Sequence, residues 1–368
     1  MATTQIATAV PLAEATKTTP KAEYGRRPTD SMKSSWRTSS RSSWNLWHWL
    51  IHITNIYPVY LDKEVPVFKK TDPLPYFSHR YGHRWILTHA AWPMLIQWAA
   101  QSYTGKPWSA IGTFIFYTFA MQFNSIHQIW VIRRLSHTYG FLDGDKPRDQ
   151  VPDVGVMKTV LSLLNTTTFR PMIAVIAAYQ RSTELQLNLK WLPLELALYG
   201  VVLDLFFYTY HRSCHELDGL WKYHRTHHLT KHPNVLLSSY ADEEQEFLEI
   251  ALIPFLTWAT MKYILQLPMG FHDWWICHQY VIFVEAFGHS GMRMWSTTIT
   301  FASPILNVLG MDLQLEDHDL HHRKGWRKSH NYGKQTRVWD KIFGTMGPRI
   351  EAVEGNVDYN NIIAMPWY

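Results

Sequence analysis

Three histidine clusters in the second half of the chain constrain its fold more than any other feature. They read HRSCH at 211–215, HRTHH at 224–228 and HDLHH at 318–322. Histidines three or four residues apart share one face of a helix, and a neutral imidazole is the commonest metal ligand in proteins. These clusters hold more imidazoles than one tetrahedral or octahedral ion accepts. The sequence therefore predicts helix ends that converge on two metal ions.

Simpler or different explanations of the clusters were weighed. A histidine-rich helical surface facing water or lipid headgroups does not account for a HxxHH pattern that occurs twice. A zinc finger needs Cys-x2-Cys pairs that this sequence lacks. Glu216 follows His215, but Gly219 stands where a HExxH protease has its second histidine. The Glu-x-x-His pairs of carboxylate-bridged di-iron bundles are also missing, which leaves an all-nitrogen ligand set.

Apolar and aromatic segments predict that the chain enters a membrane. The sequence has 18 Trp, 19 Tyr and 17 Phe, concentrated near apolar segments as at membrane interfaces. Segments 86–103 and 108–123 predict a helical hairpin, although each is shorter than the roughly 20 residues of a full span. Segment 191–210 leads into the first cluster, and 247–268 and 271–287 predict a second hairpin. The mean hydropathy of −0.20 is low for such a protein, so a soluble helical enzyme remains an alternative.

The N-terminal part predicts a tail followed by interfacial helices. Residues 1–43 hold seven Lys or Arg against three acidic residues and are rich in Ser and Thr, which favours a disordered basic cytosolic tail. Residues 44–189 are interpreted as N-terminal interfacial and membrane helices. Basic residues beside the histidine clusters indicate that this face is cytosolic. The two cysteines, Cys214 and Cys277, are expected to be reduced thiols.

The order of motifs from the first cluster onward resembles a known superfamily. After two histidine boxes come an apolar hairpin, GHSG at 288–291, the third box and NYGKQTRVWDKIFGT at 331–345. This order is similar to the membrane-bound sterol desaturase and fatty acid hydroxylase superfamily, whose mark is HX3–4H, HX2–3HH and a further HX2–3HH. Within it, the motif order most resembles the 4-methylsterol monooxygenase branch. That branch commonly has His-Pro after Tyr-Ala, whereas Asp242 follows Ala241 here.

The resemblance implies a fold and a division of the chain. The expected fold is all-α, a polytopic membrane helical bundle with a cytosolic histidine-box di-metal cap. Residues 190–348 would form a fatty acid hydroxylase-like catalytic domain, and residues 349–368 a C-terminal tail.

The resemblance also implies a set of metal ligands. Glu285, which precedes His289 by four residues, and Asp242 are further candidates, either as ligands or as partners that orient an imidazole. His83 and His89 are expected to be structural. The implied ligands are His211, His215, His224, His227, His228, His289, His318, His321 and His322.

Other polar residues near the boxes receive lesser roles. Asp204 lies inside an apolar segment, where carboxylates are usually functional, and is expected to cap or orient a ligand. Asp317 and Asp319 flank His318 and are expected to accept ring N–H protons. His232 and His330 lie just beyond boxes and are weaker ligand candidates.

The implied activity is oxidation of a lipid in the endoplasmic reticulum membrane, with the boxes facing the cytosol. We hypothesise that two non-haem Fe ions use O2 to hydroxylate a sterol, terpenoid or fatty-acyl C–H bond. No GxGxxG follows a convincing strand, so electrons are expected from NAD(P)H through an external membrane reductase, with or without cytochrome b5. A desaturase on the same scaffold and a non-catalytic membrane metal-binding protein are the alternatives. No nucleic-acid partner is expected.

Overall fold

The computed structural model describes residues 27 and 30–366, and helices dominate it. Helix α6 contains two π-helical stretches, at Phe247–Leu252 and Thr260–Ile264. Two short strands, β1 (Leu74–Phe77) and β2 (Val357–Ile363), pair in parallel. The helices are α1 (Leu46–Ile53), α2 (His79–Thr104), α3 (Ala110–Tyr139), α4 (Val156–Ala178), α5 (Leu192–Glu216), α6 (Glu243–Ile264), α7 (Phe271–Ser290), α8 (Ser303–Val308), α9 (Leu315–Lys324) and α10 (Val338–Phe343).

The long helices run as three antiparallel pairs, α2 with α3, α4 with α5, and α6 with α7. The loop at 179–191 holds the pairs together at one end. The amide of Gln101, near the end of α2, donates to the carbonyl of Thr183 at 3.0 Å. The backbone N–H of Asn188 donates to Asp273, at the start of α7, at 2.9 Å. We call this the far end of the bundle.

Hydrogen bonds at the opposite end join the other helix termini. The backbone N–H of Arg293, just after α7, donates to the carbonyl of Gly140, just after α3, at 3.0 Å. The backbone N–H of Lys231, in the segment between α5 and α6, donates to Asp149, just before α4, at 2.7 Å. We call this the site end, because the histidine boxes follow the helices that finish here.

Three of these helices are long and apolar enough to cross a membrane: α4 with the preceding turn, α5 and α6, at 26, 25 and 22 residues. At about 1.5 Å per residue, each exceeds a hydrocarbon core of about 30 Å. The sequence had indicated only a short apolar run at 169–180, so α4 was underestimated. The hairpin predicted at 86–103 and 108–123 exists as α2 and α3, but neither helix meets the same length and hydropathy criterion.

Helix α3 nevertheless presents an apolar stripe to the surroundings. Ile111, Ile115, Phe119 and Phe123 recur every four residues and are all exposed. Such a stripe on a single helix face normally packs against another apolar phase. Together with the three apolar helices it agrees with the predicted helical membrane bundle.

Helix α7 forms the centre of the bundle. It packs against α2, α3, α4, α5 and α9. Its two adjacent tryptophans are buried, and each indole N–H has an acceptor: Trp274 donates to the hydroxyl of Tyr199 at 2.8 Å, and Trp275 to the carbonyl of Ala90 at 3.0 Å. This packing fixes the position of the last turn of α7, which carries His289.

The prediction of a disordered tail is wrong for residues 30–43. Trp36 is only 5% exposed and belongs to the hydrophobic core. Its indole N–H donates to the carbonyl of Val151 at 3.0 Å, and Asp153 accepts its backbone N–H at 2.9 Å. Residues 1–26 and 28–29 lie outside the described part of the chain, where the prediction stays untested.

The C-terminal segment is also more than a tail. Within the predicted tail at 349–368, β2 pairs with β1. Just before β2, Glu316 of α9 accepts the backbone N–H groups of Ile350, Glu351 and Ala352 at 2.7–3.1 Å. The C-terminal segment therefore supports the helix of the third histidine box.

Candidate metal centre

Nine buried histidines form two adjacent groups. Within each group, the nitrogens that could bind a metal lie within 4.8 Å of one another. The groups adjoin, since the rings of His228 and His322 stack with centroids 4.7 Å apart. Every histidine that the sequence analysis assigned as a ligand is in one of the two groups. Group A contains His211, His215, His224, His228 and His321, and group B contains His227, His289, His318 and His322.

Helical spacing explains how the first and third boxes divide between the groups. His211 and His215 are four residues apart on the last turns of α5, so both rings point into group A. His318 and His322 are four apart on α9 and both point into group B. The intervening His321 is rotated away from that face and enters group A.

The second box reaches the same arrangement without an α-helix. Two short 3-10 segments, Trp221–Tyr223 and His227–Leu229, follow each other across a turn. The expectation of a regular helix here was wrong. His224 still joins group A while His227 joins group B. The second and third boxes therefore each contribute to both groups, which brings the two candidate sites next to each other.

The Nε2 atoms converge inside each group. In group A, the Nε2 of His228 lies 3.1 Å from that of His215 and 3.0 Å from that of His321. In group B, the Nε2 of His289 lies 3.2 Å from that of His227 and 3.0 Å from that of His318. Imidazoles that bind one ion at about 2.0–2.1 Å place their nitrogens roughly 3 Å apart, so these separations fit metal ligation.

Backbone carbonyls fix the orientation of six of these rings. A carbonyl that accepts the Nδ1–H proton leaves the Nε2 lone pair free for a metal ion. The pairs are His211 with Tyr332 (2.7 Å), His215 with Arg327 (2.8 Å), His227 with Tyr240 (3.3 Å), His289 with Glu285 (2.8 Å), His321 with His330 (2.7 Å) and His322 with Thr230 (3.1 Å).

Two observations test whether a metal fits. The Nε2 atoms of His211 and His322 are buried and have no hydrogen-bond partner within the protein, which is costly unless a cation takes that place. Burial also lowers the pKa of the imidazoles of the second and third boxes well below 6.5. These imidazoles are thus neutral near pH 7, as metal ligation requires. The donor set fits two cations that accept nitrogen ligands.

Glu285 does not join either group. Its carboxylate pairs with Lys334 at 2.7 Å and with Arg170 at 3.4 Å. Lys334 also pairs with Glu249 at 3.0 Å. The expectation that Glu285 contacts a metal is therefore not met, and it acts instead through the backbone carbonyl that orients His289.

Sequence reasoning missed the rest of this charge network. A signal was present, because Arg170 is a lone cation in the apolar part of α4, and buried charges in such segments usually have a partner. Its partner could not be identified from sequence, since 115 residues separate it from Glu285.

Asp242 also lies outside both groups. Its carboxylate accepts hydrogen bonds from Lys158 of α4 and from the hydroxyl of Thr226. Thr226 sits within the second box, between His224 and His227. Asp242 therefore ties this box to α4 and is not placed as a ligand.

Asp204 orients a ligand indirectly, through a loop. Its carboxylate accepts the backbone N–H groups of Lys334 and Gln335 at 3.1 Å and of Thr336 at 2.6 Å. This loop follows directly on Tyr332, whose carbonyl accepts the Nδ1–H of His211. The sequence-based role of Asp204 agrees with this geometry.

The expected roles of Asp317 and Asp319 were wrong. Both carboxylates pair with arginines instead of ring N–H groups: Asp317 with Arg349 at 2.8 Å, and Asp319 with Arg148 at 2.5 Å.

Four histidines expected to be secondary or structural are outside both groups. His232 pairs with Asp143 at 3.1 Å, and His330 contributes only its backbone carbonyl to the centre. His83 contacts the hydroxyl of Tyr280 at 2.7 Å, and His89 packs in the core.

Comparisons with known proteins agree with this site. The fatty acid hydroxylase family model matches residues 196–345, close to the 190–348 expected from the motifs. Fatty acid hydroxylase vlmA from a Lecanicillium species is 37% identical over 318 residues, which covers 82% of this chain and 87% of that protein. This chain belongs to the fatty acid hydroxylase family.

More distant relatives lie in the same superfamily. A Delta(7)-sterol-C5(6)-desaturase from Nicotiana tabacum is 29% identical over 160 residues, 42% of this chain and 50% of that protein. An alkylglycerol monooxygenase from Xenopus tropicalis is 25% identical over 151 residues, 41% of this chain and 30% of that protein. No solved structure matches. The predicted superfamily is confirmed, and with three apolar helices the chain is a membrane protein of oxidoreductase type.

Proposed function

We propose that this protein is an iron- and O2-dependent membrane hydroxylase that acts on a fatty-acyl lipid. The observation that carries the proposal is the pair of adjacent all-histidine groups. The fatty-acyl class is favoured over sterols and terpenoids because the relative that matches most of this chain is named a fatty acid hydroxylase. All nine histidines are proposed as ligands, five for one iron and four for the other.

The residues of the chain would hold and shield the reaction. Two irons supply, when bound, the O2-derived oxidant that protein side chains cannot provide. The carbonyls that accept Nδ1–H protons keep each imidazole in the ligating orientation. Burial of the groups excludes bulk water from the oxidant. The overall reaction is RH + O2 + 2 e− + 2 H+ → ROH + H2O, so two electrons must enter from outside.

The proposed source of electrons is NAD(P)H, through a membrane-bound reductase with or without cytochrome b5. The proposed location is the endoplasmic reticulum membrane with the site end in the cytosol. The chain leaves one apolar helix at Glu216 and enters the next at Glu243, so the second box lies in a segment between two candidate spans. Basic residues of this segment, such as Lys222 and Lys231, support a cytosolic orientation.

A desaturase is the second candidate, supported by the similarity to the sterol desaturase. It would share the metal centre and differ in removing a second hydrogen. A non-catalytic metal-binding protein is disfavoured because no ligand of either group is missing.

The test is lipid analysis of cells that express the protein under 18O2. We expect a hydroxylated fatty-acyl product with one 18O atom, absent in a His227→Ala variant that still enters the membrane. His232→Ala is the matched control, since His232 is outside both groups. A new double bond without 18O would favour the desaturase. Activity retained in His227→Ala would contradict both candidates.

A further inference from the structure

We propose that an unbranched acyl chain binds in the seam between α1, α3 and α4, in two neighbouring cavities that lead from the membrane to group B. This inference rests on the proposed function for the identity of the lipid. The cavities and their walls are independent of it.

The outer cavity is apolar and lies between three helices. It encloses about 210 Å3. Leu50 of α1, Ile126 of α3 and Val160 and Leu164 of α4 line it. Apolar walls of this kind select for hydrocarbon by the area that they remove from water.

The inner cavity continues toward the metal centre. It encloses about 60 Å3 and shares the walls Ser125 and Leu163 with the outer cavity. We call this shared position the neck. The inner cavity also touches Ser239 and Glu285.

The inner cavity ends beside group B. The carbonyl of Glu285 accepts the Nδ1–H of His289, and the residue after Ser239 is Tyr240, whose carbonyl accepts the Nδ1–H of His227. Both contacts orient ligands of group B and none of group A. The geometry therefore assigns substrate oxidation to the group B side.

The outer end faces the lipid phase. Leu46 and Ile53 at the two ends of α1, and Phe123 on α3, are exposed apolar side chains. α4 is one of the three helices long and apolar enough to span a membrane. A lipid can therefore approach this opening from the bilayer without crossing water.

The size of the cavities points to a chain and not to fused rings. The outer volume of 210 Å3 is below the roughly 300–1,000 Å3 of most ligand pockets. The inner volume of 60 Å3 equals that of about two waters in the liquid. A flexible chain of methylenes can pass the neck, whereas a rigid four-ring sterol nucleus cannot.

The test uses photolabelling and needs no turnover. The full-length protein in phosphatidylcholine nanodiscs is irradiated with stearic acid that carries a mid-chain diazirine, and labelled residues are mapped by mass spectrometry. We expect labels in α3 at 122–126 and in α4 at 160–167. Unlabelled stearic acid should compete for these labels, and cholesterol should not.

Two variants narrow the neck from opposite sides. Leu163→Trp and Ser125→Leu are each expected to lower this labelling about tenfold, equal to about 1.4 kcal/mol of binding, with metal content unchanged. Ile176→Trp is the matched control, because Ile176 is on the same helix, 76% exposed, and lines neither cavity.

Three outcomes would overturn the proposal. One is labelling confined to the separate apolar cavity around Phe283, Phe287 and Gly288. The second is labelling of α3 and α4 that neither neck variant reduces while metal content is kept. The third is competition by cholesterol as strong as that by stearic acid. Because labelling requires neither iron, O2 nor reductant, a failure of the proposed activity would leave this result intact.

Discussion

The ammonium group of Lys334 links two membrane helices to the ligand-orienting loop. Its side chain is 6% exposed and pairs with Glu249 of α6 and Glu285 of α7. A buried charge is tolerated only when its partners compensate for lost hydration. Glu249 lies in the first π-helical stretch of α6, and such stretches often occur at functional sites. At the scale of single residues, this ion network holds α6 and α7 against the loop beside Tyr332.

Replacement of Lys334 tests this network. Lys334→Met is expected to lower the free energy of unfolding by about 3–5 kcal/mol, because two buried carboxylates lose their shared partner. Chemical denaturation in detergent, followed by tryptophan fluorescence, measures the change. Lys341→Met, at an exposed lysine of α10, is the control and should leave stability unchanged. Equal stability of both variants would show that the network contributes little.

At the scale of elements, the loop at 333–336 depends on α5 for its shape. Asp204 lies two turns before His211 on that helix and accepts three backbone N–H groups of the loop. One helix thus supplies a ligand and also, through the loop, the carbonyl of Tyr332 that orients the same ligand. The arrangement makes α5 and the loop a single unit.

Substitution of Asp204 should loosen group A while sparing the membrane helices. Asp204→Ala is expected to reduce iron occupancy of group A and to abolish product, because the loop loses its acceptors. Asp204→Asn keeps one carbonyl oxygen and should retain part of both. Iron content of purified protein, measured by elemental analysis, gives the result. Full iron content in Asp204→Ala would remove the loop from the account.

At the scale of the whole molecule, the alternation of helices predicts which loops share a side of the membrane. The loop at 179–191 is at the far end, and the segment between α5 and α6 is at the site end. Both native cysteines are buried, so the background for thiol labelling is low.

Thiol labelling in sealed microsomes tests this topology. Glu184→Cys, at the far end, should react with an impermeant maleimide only after the membrane is opened. Lys222→Cys, at the site end, should react in intact vesicles. Both positions are exposed, so access is set by the membrane alone. Equal labelling of the two variants in intact vesicles would contradict the arrangement.

How much of the molecule the sequence could predict depends on how local each feature is. The fours in 211–215 and 318–322 follow from helical geometry, so the ligand groups were predictable in composition. The extent of α4 was not, because Arg170 and the threonines at 166–168 interrupt its apolar pattern. The partners of Glu285 were not predictable either, since Lys334 is 49 residues away.

The tail at 30–43 failed for a related reason. Its Ser-rich composition is typical of disorder, yet a few side chains, above all Trp36, find partners more than a hundred residues away. Composition reports the average of a segment, whereas a single buried tryptophan can anchor it.

The most direct test of the account is the metal content of the purified protein. Histidines divided between two adjacent groups predict about two irons per chain. His224→Ala in group A and His289→Ala in group B should each lower the content, and Mössbauer spectra of the two variants should retain different iron signals. One iron per chain, or a content that only one of the two variants changes, would contradict a centre built from two groups.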